Sequence, residues 1–238
     1  MTVLFISFLF FFPAEGFCQG DNFFEGLIEP STVIKLGSQV FGTLEVVSVD
    51  RGDRVVKGQV VARLHSSVEE AAVELVRARV EFGERKVMRN EDLFKKNLIS
   101  IHEKDEMETE LKISLLQLYE AQEKLNIRTI KSPVDGVVVE RFLSPGEYVG
   151  EDPIMEIAGI DPLYVEVIVP VEKFGTIKKG MMAEVRPEHL SVRDLKARVI
   201  IVDRVIDAAS GTFAVRLELP NPKYILPAGL KCRVNFLR

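Results

Sequence analysis

Arg89, Leu93 and Ser100 are the residues whose types and spacing best compose a contact site. Arg89 and Leu93 stand four apart, so a helix carries them on one face and presents a guanidinium beside an apolar knob. Ser100, with Glu103 three residues on, has the form of a capping box that opens a second helix. That is recognition chemistry, not bond-making. Asp135, Glu140, Glu147, Asp152 and Glu156 are the carboxylates for imagined acid–base work, but they fall at turns and strand ends of a scaffold. His65, His102 and His189 lack ligand spacing, so no zinc site is expected. Met181 and Met182 stand apart from other thioethers, and Lys95 with Lys96 reads as the solvated end of a helix. No phosphate loop, nucleophile elbow or triad is legible. The chain is not expected to be an enzyme.

The element that must position Arg89, Leu93 and Ser100 runs over residues 66–127. Ser66 and Ser67 precede Glu69 and Glu70, giving two overlapping candidates for a capping box. Val68, Ala71, Leu75, Ala78 and Phe82 then recur at spacings of three and four, and the pattern resumes with Met107, Leu111, Ser114, Leu118, Ala121 and Leu125. These are expected to be the a and d positions of two paired helices. Gly83 interrupts the first arm at a cost near 1 kcal/mol. The break falls at "FKKNLIS", where Asn97 suits a left-handed turn. The break favours pairing within one chain over a homodimer seam. Each arm of about 30 residues would reach about 45 Å.

On either side of the insert the chain writes one phrase twice. "GTLEVVSVDRGDRVVKGQVV", 42–61, and "SPVDGVVVERFLSPGEYV", 132–149, superpose on a shift of 94 residues, which places Gly42 on Gly136, Gly52 on Gly146, Asp53 on Glu147 and Val55 on Val149. Each copy reads as strand, turn and strand. Gly52 and Gly146 sit where a turn wants positive φ, and the acid that follows can accept from local backbone donors. Val47, Val49, Val55 and Val61 suit short strands buried on one face. Neither half is large enough to close a core alone, so the two are expected to fold as one flattened sandwich.

Length and composition bound the rest. The 238 residues, 47% hydrophobic, allow one large domain or two to three small ones, and a net charge of −5 gives no reason to expect nucleic acid as a partner. Cys18 and Cys232 make no disulfide framework. "MTVLFISFLFFFPAEGFCQG" carries an apolar run from Met1 to Pro13, shorter than the roughly 20 residues of a spanning helix. It fits a secretory leader, expected at 1–18, with Ala14 and Gly16 as the small residues of a cleavage site. Cys18 invites a lipid anchor, but Glu15, Gly16 and Phe17 before it suit that signal poorly.

The duplicated "G…G-D-x-V-x-x-G-Q" half resembles the biotinyl/lipoyl fold. A carrier of that fold displays a lysine between its halves; "ARLHSSVEEAAVELV" stands there instead, so no covalent cofactor is expected. A split lipoyl-like domain with a helical insert resembles the periplasmic adaptor subunits of bacterial tripartite pumps, membrane fusion proteins of the HlyD/RND type. "GIDPLYVEVIVPVEKFGTIKKGMMAEV" and "VIDAASGTFAVRLELPNPKYILPAGLKCRVNF" look like the start and end of the adaptor β-barrel. The resemblance implies a mainly β chain with a long helical hairpin: a barrel-sandwich hybrid at 32–65 and 128–160, a coiled-coil hairpin at 66–127, and a β-barrel at 161–238, to which 23–30 adds a strand or a link. It implies a periplasmic protein associated with the inner membrane, self-associated as a hexamer. Its partners would be an inner-membrane transporter, RND or ABC in type, and a TolC-like outer-membrane channel. Arg89, Leu93 and Ser100 match the R-x3-L-x6-S tip motif by which adaptors dock on such a channel. The chain stops after the barrel, where many RND adaptors continue into a membrane-proximal domain. A scaffold or substrate-binding module acting outside a pump is the alternative.

Overall fold

The computed structural model describes residues 23–190 and 195–237. The apolar N-terminal run and Cys18, with the export and cleavage expectations placed on them, lie outside the described residues.

Twelve strands and two long helices make up the described chain. β1 (Phe23–Leu36) and β8 (Met155–Pro170) are long and antiparallel, paired from Gly26 opposite Val167 to Leu36 opposite Met155. One end of this ribbon belongs to a barrel. There β1 pairs β12 (Lys231–Phe236), β12 pairs β9 (Met182–Pro187), β9 pairs β10 (Leu195–Val202), β10 pairs β11 (Thr212–Leu219), and β11 returns to β8, so six antiparallel strands close on themselves. Closure removes the unpaired edges of a small sheet. The alternation along β8 fixes which side faces in: Leu163, Val165, Val167 and Val169 are fully buried, and the intervening Glu166 pairs with Arg216 on the outside. Ile28, Val185, Val199, Phe213, Val215 and Leu217 complete that core.

At its other end the same ribbon continues into a sandwich. β8 pairs β6 (Gly136–Arg141), which pairs β3 (Arg54–Val55). The facing sheet runs β5 (Thr129–Lys131), β4 (Val60–Leu64), β2 (Gly42–Val47), β7 (Tyr148–Val149). Leu44, Val55, Val61, Leu64, Val138, Val149, Ile154 and Ile157 form its core.

The two sequence copies interlock. Gly52 donates to the Val138 carbonyl and Gly146 to the Leu44 carbonyl, both at 2.8 Å. In return Val138 donates to Asp53 O and Leu44 to Glu147 O, both at 2.9 Å. Each turn is thus bonded into the opposite copy. The acids act locally as their position indicated: Asp53 accepts from Asp50 N–H at 2.7 Å and Glu147 from Ser144 N–H at 2.5 Å. Ser38 and Ser132 also match, each hydroxyl bonding the carbonyl two residues on at 2.6 Å.

Where the ribbon passes from sandwich to barrel, two contacts brace it. Buried Asn221 satisfies its amide on Ile160 O, Leu226 O and Leu226 N–H, which ties the loop after β11 to the crossing. From that loop Tyr224 reaches the sandwich, its ring centroid 3.8 Å from the Arg54 guanidinium.

Candidate functional site

Between β4 and β5 the chain leaves the sandwich as α1 (Ser67–Lys95) and returns as α2 (Ile101–Asn126). The two helices lie against each other, and Lys86 on α1 reaches Glu110 on α2 at 2.8 Å. Twenty-nine helical residues in α1 correspond to a length of about 44 Å at 1.5 Å per residue. On α2 the half-buried positions are Lys104 at the turn and then Met107, Leu111, Ser114, Leu118, Ala121 and Leu125, the last six being the stripe read from the sequence.

On α1 the stripe read from the sequence is corrected. Val73 and Val80 are buried, at 4% and 5% exposure, whereas Val68, Leu75 and Phe82 are 75%, 59% and 57% exposed. The inward positions are Glu69, Val73, Val76, Val80, Gly83, Val87, Asn90 and Phe94, a heptad rotated away from the expected one. α1 carries two apolar stripes, and period alone cannot say which faces its partner. Gly83 belongs to the inner one. A Cβ there would stand 3.1 Å from Leu111 Cδ1, so glycine lets the helices approach.

The start of α1 also departs from expectation. The Ser66 side chain caps no backbone N–H; it donates to Glu70 Oε1 at 2.8 Å, and Ser67 bonds the His65 ring at 2.9 Å. The base of the helices is instead held by Arg128, which the sequence reading missed. Its guanidinium meets Glu69 Oε1 at 2.6 Å and donates to Phe41 O at 3.0 Å. Nothing in spacing announces it, because the partners come from opposite ends of the insert.

Residues 96–100 form the turn at the tip. Asn97 takes φ 58°, the left-handed conformation its position called for. Asn97 N–H donates to Phe94 O at 2.8 Å and Leu98 N–H to Leu93 O at 2.9 Å, the paired bonds of a Schellman ending. Ser100 then opens α2 with a complete capping box: its hydroxyl accepts from Glu103 N–H at 3.2 Å and its own N–H donates to Glu103 Oε2 at 2.7 Å. The Ser100 N–H, and after it the Ser100 hydroxyl, hold the Glu103 carboxyl below its ordinary pKa. Lys104 lies 4.8 Å from the centroid of the Phe94 ring and closes the turn from the side.

Arg89, Leu93 and Ser100 are all exposed around this turn. Among the described residues Arg89 donates only to Arg85 O, at 3.3 Å within its own helix, and its side chain is exposed. The tip therefore presents an unpaired cation, an apolar residue and a capped helix start together. Such a surface can dock on another protein. Elsewhere, among the described residues, no group of three His, Cys, Asp or Glu side chains is close enough to hold a metal ion.

The described chain is thus a sandwich interrupted by two long helices and continued by a closed barrel. Residues 32–158 match the CzcB-like barrel-sandwich hybrid domain and residues 162–238 the CusB-like β-barrel domain. The chain belongs to the membrane fusion protein family, related to the adaptors of efflux pumps. It is 22% identical over 212 residues to an uncharacterised protein of Haemophilus influenzae, covering 88% of this chain and 56% of that one. It is 23% identical over 210 residues to the cobalt-zinc-cadmium resistance protein CzcB of Cupriavidus metallidurans, covering 82% of this chain and 40% of CzcB. It thus spans about half the length of these relatives or less. A MacA–MexA chimera carrying the Pseudomonas aeruginosa MexA α-hairpin shares the fold, with a TM-score of 0.74 at 19% identity over 90% of this chain and 77% of the other.

Proposed function

We propose that this chain is an exported periplasmic adaptor that links an inner-membrane transporter, RND or ABC in type, to a TolC-like outer-membrane channel. The observation that carries the reading is the tip: Arg89, Leu93 and Ser100 stand exposed around one stiff turn, a helix length away from the sandwich. We read α1 and α2 as the coiled-coil hairpin of such an adaptor, the sandwich and barrel as its two β domains, and the three tip residues as its docking motif. The outward stripe of Val68, Leu75 and Phe82 supports self-association, since neighbours in a hexameric ring would cover it. Transport energy would come from the transporter. The name of the relative CzcB makes divalent metal cations the first cargo to test.

The test is site-specific photo-cross-linking in cells of the native host. A photoreactive amino acid at position 89 or 93 should yield an adduct with an outer-membrane protein, and one at position 82 an adduct between two copies of this chain. No outer-membrane adduct from either tip position would end the adaptor reading.

A further inference from the structure

We propose that the end of the barrel opposite the helices docks on a lipid bilayer containing anionic lipids. The inference deepens the adaptor reading, since it names the membrane-side contact of the same molecule.

Strand direction defines this end. β8 leaves the barrel at Pro170, opposite Thr212 at the start of β11, and β1 begins at Phe23, opposite Asn235 near the end of β12. The segment after β8, 171–181, and the loop between β10 and β11, 203–211, therefore share one end, while α1 and α2 leave the molecule from the sandwich. The two segments are joined to each other and to the wall. Val171 N–H donates to Gly211 O at 2.9 Å, Gly180 N–H donates to Val199 O at 2.8 Å, and Phe174 meets Phe213 edge to face at 5.3 Å.

What this end displays is unusual for a surface left in water. Val171, Phe174, Ile201, Val205 and Ile206 are all exposed, and Val205, in the loop, is 83% exposed. Lys178, Lys179 and Arg204 line a groove with Phe174 and Ile201, and Lys173 lies beside it. All four cations are exposed, and among the described residues none pairs with a carboxylate. The facing acids are Glu172, Asp203 and Asp207. Asp207 is turned into its own loop, accepting from Ala209 N–H and the Ser210 hydroxyl at 2.9 Å each. On a chain of net charge −5 this end carries four cations against three carboxylates, one of them engaged. An apolar loop tip backed by lysines suits the boundary of a bilayer: apolar side chains enter below the headgroups while the ammonium groups stay at the phosphates.

The charge pattern favours lipid over a protein partner: four exposed cations with no carboxylate partner among the described residues surround an apolar loop tip, and ammonium groups at that height meet headgroup phosphates.

The chain has no tryptophan, so Val205→Trp supplies a single local reporter. With the full-length protein, its emission should shift to the blue on vesicles of phosphatidylcholine mixed with phosphatidylglycerol, and lipids with brominated acyl chains should quench it. Phosphatidylcholine alone should bind less, and added salt should abolish the difference. Lys178→Glu with Lys179→Glu in the same background should lower partitioning at least about tenfold. Leu98→Trp, in the turn joining the helices, should not shift on the same vesicles, which shows that the contact is local to this end of the barrel. An unshifted Val205→Trp, a shift indifferent to charge reversal, or a shift that needs added inner-membrane proteins would overturn the proposal; the last would make the partner a protein. Cross-linking at the helical tip does not depend on any of these results, so the two readings fail separately.

Discussion

Gly52 and Gly146, separated by 94 residues, hold one backbone conformation, φ +92° at both. Each donates its N–H into the half of the sandwich it does not belong to. A Cβ at either would meet nothing within 4 Å, so the requirement for glycine is conformational alone. Gly52→Val and Gly146→Val should each cost about 1–3 kcal/mol in denaturant unfolding. Asn at either position should recover part of that, since it tolerates the left-handed region better. Equal melting of parent and both valine variants would refute the equivalence.

Gly42 and Gly136 are also equivalent by sequence but not by surroundings. A Cβ on Gly136 would lie 2.3 Å from Ala158 O, part of a paired strand that cannot retreat. At Gly42 the nearest atom, at 2.7 Å, is Nη1 of the Arg128 side chain, which can swing away. Gly136→Ala should cost about 3 kcal/mol, the upper end for overpacking, and Gly42→Ala about 1 kcal/mol. Chemical unfolding of the two variants side by side measures the difference.

The helical pair offers a test of register. Val80→Ala removes two buried methyl groups worth about 0.8 kcal/mol each, partly offset by the better helix propensity of alanine, for a net loss of about 1 kcal/mol. Phe82→Ala, on the outward stripe, should leave the monomer's helix melt unchanged in circular dichroism. It should instead weaken self-association, read by sedimentation.

At the tip, fold and contact can be separated through Ser100. Ser100→Ala removes a helix cap worth about 1 kcal/mol, while Ser100→Asp keeps a cap and brings charge to the exposed surface. Ser100→Asp and Arg89→Ala should both melt like the parent and both impair efflux in a complemented deletion strain. Full activity of both would strike Arg89, Leu93 and Ser100 from the docking site.

Glu103 adds a pH dependence whose sign is fixed. Its carboxyl is held below the ordinary glutamate value of 4.5 by the Ser100 N–H and hydroxyl, so its contribution is fully present above that value. As pH falls through the lowered folded value the contribution is lost. Helicity of the parent should therefore decline faster below about pH 4.5 than that of Glu103→Gln, which lacks the titrating group. Parallel acid titrations followed by circular dichroism would show it.

Much of the sandwich was legible because turns constrain residue type. A φ near +92° strongly favours glycine, and a following acid serves the turn's own donors, so Gly52-Asp53 and Gly146-Glu147 survive as a pattern even where strand residues differ. The repeat in fact runs further than that reading took it: "GSQVFG" and "KSPVDG" share Ser, Val and Gly on the same shift of 94, which would have extended the alignment to Ser38 and Ser132. The turn at Asn97 and the capping box at Ser100 were legible for the same local reasons. The facing stripe of α1 was not. Val68, Leu75 and Phe82 make the bulkier apolar stripe, although Val73, Val76, Val80 and Gly83 are the ones that face the partner helix. The inner face is small because the helices approach closely at Gly83 against Leu111, a fact about two elements that no single helix records. Arg128 was missed on the same ground, as were the Asn221 amide and the Arg54–Tyr224 stack, whose partners meet only after the fold is complete.

The exchange of turns between the two copies sets an order of events along the chain. While the polypeptide emerges from its N-terminal end, the first copy cannot finish its bonds, because Val138 and Glu147 have yet to appear. The helices between need no such wait: Lys86 and Glu110 lie in one continuous stretch and can zip locally. The barrel waits longest, since Phe23 at its first strand pairs with Asn235 at its last. Partners therefore become available in the order insert, sandwich, barrel, and a chain arrested in mid-emergence is expected to show a paired set of helices on an open sheet.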